Sequence, residues 1–211
     1  MRNTLSQIVL ALSICLQFCL YVQGQGTFVY DQQSAVEGAL QDGGGFIQTL
    51  QPFGQSFTPT SSSVGFVRFW LYDANPNNGL GASVYVNLRG DSITGPIIDS
   101  TASIFLPDKF GDNGSNGYVN FFFTTPVTVT PGVTYYFQPM VQSGGDLWIA
   151  AGSISYNYPG GSSYAHGVAN AQDLWFREGI VVPEPSAVSL LIGSGVWFYV
   201  HRKKNPKRSV R

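Results

Sequence analysis

Cysteine and histidine are scarce in this chain, and their positions exclude several kinds of chemistry. Both cysteines, Cys15 and Cys19, lie in an apolar stretch near the N-terminus, so the sequence beyond it has no disulfide and no thiol. Of the two histidines, only His166 lies between residues 25 and 182. A zinc site needs several His or Cys ligands, and a serine triad would have to use His166 without a Gly-x-Ser-x-Gly motif. We therefore expect neither in this region.

Charged residues are also few, and the two signs are separated along the chain. Seven of the 11 Lys and Arg residues lie near the ends, whereas residues 25–182 hold four basic residues and 11 of the 12 acids, a net charge of −7. Such an acidic region argues against nucleic-acid binding, which needs a basic surface. Glutamate is nearly absent, and the sequence places no two carboxylates across a cleft, so a glycan hydrolase is the least favoured function. We expect no enzyme.

The N-terminus has the pattern of a secretory signal peptide. A positive charge at Arg2 precedes a mostly apolar stretch from Leu5 to Val22, and polar and small residues follow. We expect a signal helix in residues 1–24 and a cut by signal peptidase near Gly24. The alternative is an uncleaved membrane anchor, although polar side chains within the apolar stretch weaken a permanent span.

The C-terminus contains a short apolar run followed by a basic cluster. The run, residues 187–200, corresponds to about 21 Å of helix, against a hydrocarbon core of roughly 30 Å. Arg202, Lys203 and Lys204 follow it, and the positive-inside bias keeps such a cluster in the cytoplasm while the preceding domain crosses. We expect a marginal transmembrane helix that suits a temporary tether.

A proline-rich motif precedes this run. It reads Val182, Pro183, Glu184 and Pro185. Together, the motif, the short span and the basic cluster over residues 182–211 resemble the PEP-CTERM sorting signal, although His201 and the long tail depart slightly from it. The resemblance implies export through the inner membrane of a Gram-negative-type bacterium, recognition by an exosortase, cleavage near Pro-Glu-Pro and transfer to the outer surface or extracellular matrix. The alternative is an ordinary C-terminal membrane anchor.

The region between the two ends has the composition of a β domain. Short β-branched and aromatic runs alternate with Gly, Pro, Asn and Asp, without convincing helical periodicity. The predicted strands are residues 55–58, 65–72, 82–90, 97–104, 117–124, 134–142 and 147–151, with a short one at 127–130. We predict an all-β fold, an antiparallel, jelly-roll-like β-sandwich, over residues 25–155. The Gly/Ser/Tyr-rich residues 156–181 form a final segment, and a last strand within it is left open.

Alternation within two of these strands predicts which side chains share a face. Val67, Phe69 and Leu71 of the first strand are predicted to face the core. In the second strand, Val84, Val86 and Leu88 share one face. The segments QSFT (55–58), RGD (89–91), GPII (95–98) and VTPGVTYYF (129–137) follow one another in an order similar to the "choice-of-anchor" exported β-sandwich domains. This resemblance, over roughly residues 28–155, implies a jelly-roll-like sandwich without established catalytic residues.

An oxygen-rich loop follows the strand at 65–72. Asp73, Asn75 and Asn77 place oxygen atoms at alternate positions ahead of Gly79, as calcium loops do, but the distal glutamate of such loops is missing. Structural calcium is the one cofactor kept as a hypothesis, and a solvated turn is the alternative.

Trp70 and Tyr72, on the same strand, are the candidates for stacking against sugar rings, with ordinary packing as the alternative. The expected function is therefore an exported, exosortase-sorted structural or adhesive surface protein. The alternative is a carbohydrate-binding module for exopolysaccharide. The expected partners are signal peptidase, the exosortase and, before processing, the membrane.

Overall fold

The computed structural model describes residues 26–38, 41–112, 117–153 and 157–183. These residues form strands, turns and bends without an α-helix, which confirms the predicted all-β class for them. No helix in these four ranges is long and apolar enough to cross a membrane. The expected signal helix, the membrane helix and the basic cluster lie outside the described residues.

Thirteen strands are present in the described part of the chain. Their bounds are β1 (Thr27–Gln33), β2 (Gln41–Phe46), β3 (Gly54–Phe57), β4 (Ser63–Asp73), β5 (Ala82–Arg89), β6 (Ile97–Ser100), β7 (Ile104–Leu106), β8 (Tyr118–Thr128), β9 (Tyr135–Gly144), β10 (Trp148–Ser153), β11 (Ser163–Ala165), β12 (Val168–Ala169) and β13 (Phe176–Val182). One compact unit extends from Phe28 to Val181. The sandwich thus continues past residue 155, where the sequence had placed its end, because β11 to β13 pair within the same sheets.

The strands form two antiparallel sheets. One has six strands in the order β1-β13-β4-β10-β2, with β8 along the other edge of β4. The second has seven strands in the order β12-β11-β3-β9-β5-β6, with β7 also beside β5. Every pair with a defined register is antiparallel. The two sheets confirm the predicted antiparallel sandwich.

The hydrophobic core lies between the two sheets. The three side chains predicted to face it, Val67, Phe69 and Leu71, are fully buried. Val84, Val86 and Leu88, predicted to share one face of their strand, are fully buried as well. Phe137 of β9 links the sheets, since its ring lies edge-on to Phe69 at 6.4 Å and tilted against Phe176 at 6.5 Å. Burying a side chain of this size contributes about 1.5–3 kcal/mol. The apolar interior therefore supplies the main stabilisation of this cysteine-free sandwich.

The strand predicted at 97–104 is two strands in the structure. β6 pairs with the end of β5 and β7 with its beginning. Between them, Thr101 donates its backbone N–H to Val86 O at 2.9 Å and accepts the Val86 N–H on its side-chain Oγ1 at 3.0 Å. Because a side chain replaces a backbone acceptor there, the ladder is interrupted. The short strand predicted at 127–130 is the end of β8.

The sequence patterns did not predict β1 or β2. β2 (QDGGGF) has almost no side-chain pattern to recognise. Two of its three glycines are required by close packing: a Cβ at Gly44 would lie 2.3 Å from Ala150 O, and one at Gly45 would lie 2.3 Å from the Phe53 ring. This strand therefore forms because of its close packing against segments that are distant in the sequence.

Candidate functional site

Trp70 and Tyr72 lie on the outer face of the six-stranded sheet, opposite the core-facing residues of β4. Both are half-buried. The Trp70 ring is edge-on to Tyr118 at 4.7 Å and to Trp175 at 6.1 Å, and the Tyr72 hydroxyl donates to Gly43 O at 2.9 Å. Part of each ring is therefore occupied by packing, which reduces the flat surface left for a sugar. Glycan stacking on these two residues stays a prediction.

The same outer face carries an aromatic–arginine cluster, formed by Phe28, Tyr30, Arg68 and Arg177, with Glu37 beside it. The Arg68 guanidinium lies 5.0 Å from the Phe28 ring, and that of Arg177 lies 3.4 Å from the Tyr30 ring. Glu37 pairs with Arg68 and lies 3.8 Å from Arg177. Both arginines are largely buried and paired, so the cluster ties β1, β4 and β13 together and offers little free positive charge.

In the loop after β4, carboxylate oxygens are bonded to backbone amides. Asp73 is buried, and its two oxygens accept the backbone N–H groups of Asn75 at 2.7 Å and Lys109 at 2.8 Å. Asn75 and Asn77 are exposed. The N–H of Asn77 is instead held by Asp108 Oδ1 at 2.9 Å. Carboxylates that accept nearby amides in this way are typical of turns.

A second carboxylate, which the sequence did not single out, faces Asp73. Asp146 is buried, and its Oδ1 accepts Asn78 Nδ2 and the Leu147 N–H, both at 2.9 Å. Its Oδ2 is buried without a hydrogen-bond partner. Burial raises the pKa of Asp73 and the facing Asp146 carboxylate adds to this, while bonds from the Lys109 and Asn75 amides oppose it. Within the described residues, no group of three or more His, Cys, Asp or Glu side chains is arranged to hold a metal ion.

Glu178 of β13 is a further acid that the sequence did not distinguish. It is fully buried and pairs in register with Val67. Neither of its oxygens accepts a hydrogen bond of good geometry, although the Gln32 backbone N–H and the Asp31 carboxyl lie close to them. Burial, followed by the nearby Asp31, raises the pKa of Glu178 to about 9. Its carboxyl group is therefore protonated at neutral pH. Since it is closed off from solvent, it is poorly placed to protonate a glycan.

Asp31, in contrast, keeps its charge. Burial by itself raises its pKa, but hydrogen bonds from Thr60 and Ser61 outweigh burial and lower it. The backbone N–H groups of these residues donate to Asp31 Oδ2 at 2.8 and 2.9 Å. Glu178 and Asp31 thus form a pair of one neutral and one ionised carboxyl group. The bonds of Asp31 to Thr60 and Ser61 join β1 to the loop before β4.

A buried polar network joins the two sheets at Asp173. Its oxygens accept Gln55 Nε2 and the Tyr158 N–H, both at 2.8 Å, and Gln55 Oε1 accepts the Leu174 N–H at 2.8 Å. Burial raises the pKa of Asp173. Because all of these groups are enclosed and matched, the network has a structural role.

A shallow depression of about 280 Å³ lies on the outer face of the seven-stranded sheet. Its lining residues are Tyr85, Ser100, Thr101, Ser103 and Gln142. One aromatic ring surrounded by hydroxyl and amide groups is the chemistry that suits a sugar. His166 lies elsewhere, exposed in the turn between β11 and β12. No protein-family model matches the chain, and no curated protein matches it significantly.

Proposed function

We propose that this chain is an exported protein of a Gram-negative-type cell envelope, sorted by an exosortase, whose β-sandwich has a structural or adhesive role. The observation that carries the proposal is the order of Pro-Glu-Pro, a short apolar run and a basic cluster over residues 182–211. A run too short for a stable span favours a temporary tether, and the basic cluster favours an orientation with the sandwich outside.

The bounds of the sandwich support processing at both ends. β1 begins at Thr27, just after the expected signal cut near Gly24, and β13 ends at Val182, directly before the exposed Pro183. Proline has no amide hydrogen to donate to a ladder, which favours the end of a strand at this position. Cuts at these two places would leave every described strand in the released product.

The architecture supports a structural role outside the cell. Neighbouring strands in both sheets are mostly distant in sequence, as in β3-β9-β5 and β13-β4-β10, and this favours the jelly-roll-like connectivity expected above. Such a sandwich needs no disulfide when its apolar core is large enough. The buried acids Asp73, Asp146, Asp173 and Glu178 are closed off from solvent, so a glycan hydrolase remains the weakest of the three functions.

Replacement of the motif tests the sorting proposal. In a host with an exosortase, Pro183→Ala, Glu184→Ala and Pro185→Ala together should leave the tail attached, so that the protein stays in the membrane fraction at its unprocessed mass. Pro206→Ala, a proline of the same tail outside the motif, is the matched control and should be processed normally. Equal processing of the two variants would show that the motif is not the signal.

Carbohydrate binding is the second candidate function, and the depression at Tyr85 is the observation that favours it. If sugar rings stack there, Tyr85→Ala should weaken binding to exopolysaccharide fragments by roughly two- to tenfold, in line with the stacking energy of one aromatic ring. Trp70→Ala tests the alternative surface on the opposite sheet. Unchanged binding in both variants, or no binding by the unaltered protein on a glycan array, would eliminate this candidate.

A further inference from the structure

Two buried carboxylates come together at one end of the sandwich because of strand pairing. Asp73 is the last residue of β4 and continues the core-facing series of Val67, Phe69 and Leu71. It pairs in register with Trp148, the first residue of β10, and Asp146 lies two positions before that tryptophan. Both aspartates are 3% exposed. Each is close enough for charge and hydrogen-bond interaction with the other.

The described residues place no positive side chain against this pair. Their salt bridges join Glu37 to Arg68 and Arg177, on the outer face of the sheet. Lys109 approaches Asp73 through its backbone N–H, while its side chain is exposed. Two like charges in a buried position repel strongly, so the pair needs either a shared proton or a bound cation.

The hydrogen bonds around the pair leave one acceptor open. Asp73 is bonded on both oxygens, and Asp146 Oδ1 accepts two donors. Asp146 Oδ2 is buried and accepts no hydrogen bond from an N–H or hydroxyl group, although a buried carboxylate oxygen normally accepts one. This open oxygen belongs to the carboxylate that faces Asp73. Hydrogen bonds from the Asn77 and Gly79 N–H groups to Asp108 fix the loop that follows Asp73. The two carboxylates are therefore held in place without a ligand.

We propose that Asp73 and Asp146 together bind a divalent cation, calcium by ligand chemistry, at the end of the sandwich where β4 meets β10. The donors are carboxylate oxygens, which calcium accepts in irregular geometry with water completing its six to eight ligands, whereas zinc prefers His or Cys. This site replaces the sequence-based ligand set of Asp73, Asn75 and Asn77. It stands independently of the sorting proposal.

Two carboxylates predict weak binding, with a dissociation constant on the order of 1 mM, as in extracellular calcium modules. A cation there joins the loop after β4 to the start of β10. It therefore stabilises the folded state and not the unfolded chain. With 10 mM calcium, the unfolding equilibrium constant should fall by about tenfold.

Calcium titration of the purified full-length chain tests the proposal. We expect 10 mM CaCl₂ to raise the midpoint of urea unfolding relative to NaCl at the same ionic strength. Terbium should bind the same site and give luminescence sensitised by the nearby Trp148, and excess calcium should displace it. Asp146→Asn keeps the Oδ1 acceptor and should abolish both responses, while Asp73→Asn gives an independent second variant.

Asp91→Asn is the matched control, since Asp91 is exposed and its φ of 62° suits asparagine. This variant should respond to calcium as the unaltered chain does. The proposal is overturned if the unaltered chain shows no calcium response, if NaCl reproduces the response, or if Asp146→Asn retains it. Because the first two outcomes need no variant, the test remains decisive even where a substitution prevents folding.

Discussion

Replacing Glu178 with glutamine should stabilise the sandwich and remove much of its sensitivity to rising pH. In the folded protein this side chain is fully buried and accepts no hydrogen bond of good geometry. Burial, followed by the nearby Asp31, raises its pKa from 4.5 to about 9. Between these two pH values the folded chain keeps a proton that the unfolded chain releases. The stability contributed by this group therefore falls as pH rises through that window.

The expected size follows from the pKa difference. Each pH unit within the window costs the unaltered protein about 1.4 kcal/mol of unfolding free energy. From pH 5 to pH 8, the advantage of Glu178→Gln should therefore grow by about 4 kcal/mol, a large part of the 5–15 kcal/mol typical of a domain. Glutamine has the shape of the protonated acid, so the packing of β13 is preserved.

Urea unfolding followed by tryptophan fluorescence at pH 5, 6.5 and 8 measures this effect. Glu178→Met, which also has no titratable proton, should show the same growing advantage although its packing differs. Comparison between variants cancels the contribution of the other acids, including Asp73 and Asp173, whose pKa values are also raised. If the unaltered protein and Glu178→Gln give parallel pH profiles, Glu178 is not held protonated in the folded protein.

Three further substitutions test individual contacts. Thr101→Val removes the hydroxyl that accepts the Val86 N–H at 3.0 Å. Because this amide stays buried, the free energy of unfolding measured with denaturant should fall by about 1–3 kcal/mol. Thr101→Ser should recover most of this loss. Glu37→Ala leaves the largely buried Arg68 without its carboxylate partner and should lower the free energy of unfolding by about 1–3 kcal/mol. If the ion pair is the cause, the loss should be smaller in high salt. Trp70→Ala removes a ring packed against two aromatic neighbours and should lower the unfolding free energy by about 2–3 kcal/mol; a loss below about 0.5 kcal/mol would mean that the ring is free for a ligand.

The strands with clear alternation were predictable because their local pattern and their tertiary environment agree. In β5 every second residue is apolar, and those residues are buried. In β4, Val67, Phe69 and Leu71 have the same period and are buried, although Phe66 and Arg68 on the other face are buried too. β2 and β13 lacked such a signal. β2 is rich in glycine, and β13 (FREGIVV) carries a charged pair that resembles a solvated surface. Their places in the sheet depend on close backbone approach and on register with distant strands.

In the candidate sites, too, the sequence identified some residues, and only the fold supplied their partners. Asp73 and Trp70 were identifiable as chemical groups, but their partners were not. Asp146 reaches Asp73 only because β10 pairs with β4, and Asp31 reaches Glu178 only because β1 lies beside β13. A sequence pattern extends over a few residues, whereas these pairs join segments that are tens of residues apart.

By itself, the sequence determined the absence of cysteine from residues 26–183, the acidic character of the domain, the all-β class and the core face of β4. These properties depend on composition and on a period of two residues, both of which are local. The tertiary structure alone decided that Asp146 faces Asp73, that Glu178 is buried and that Trp70 is packed. Burial and charge pairing depend on which distant strands become neighbours, and no local pattern contains that information.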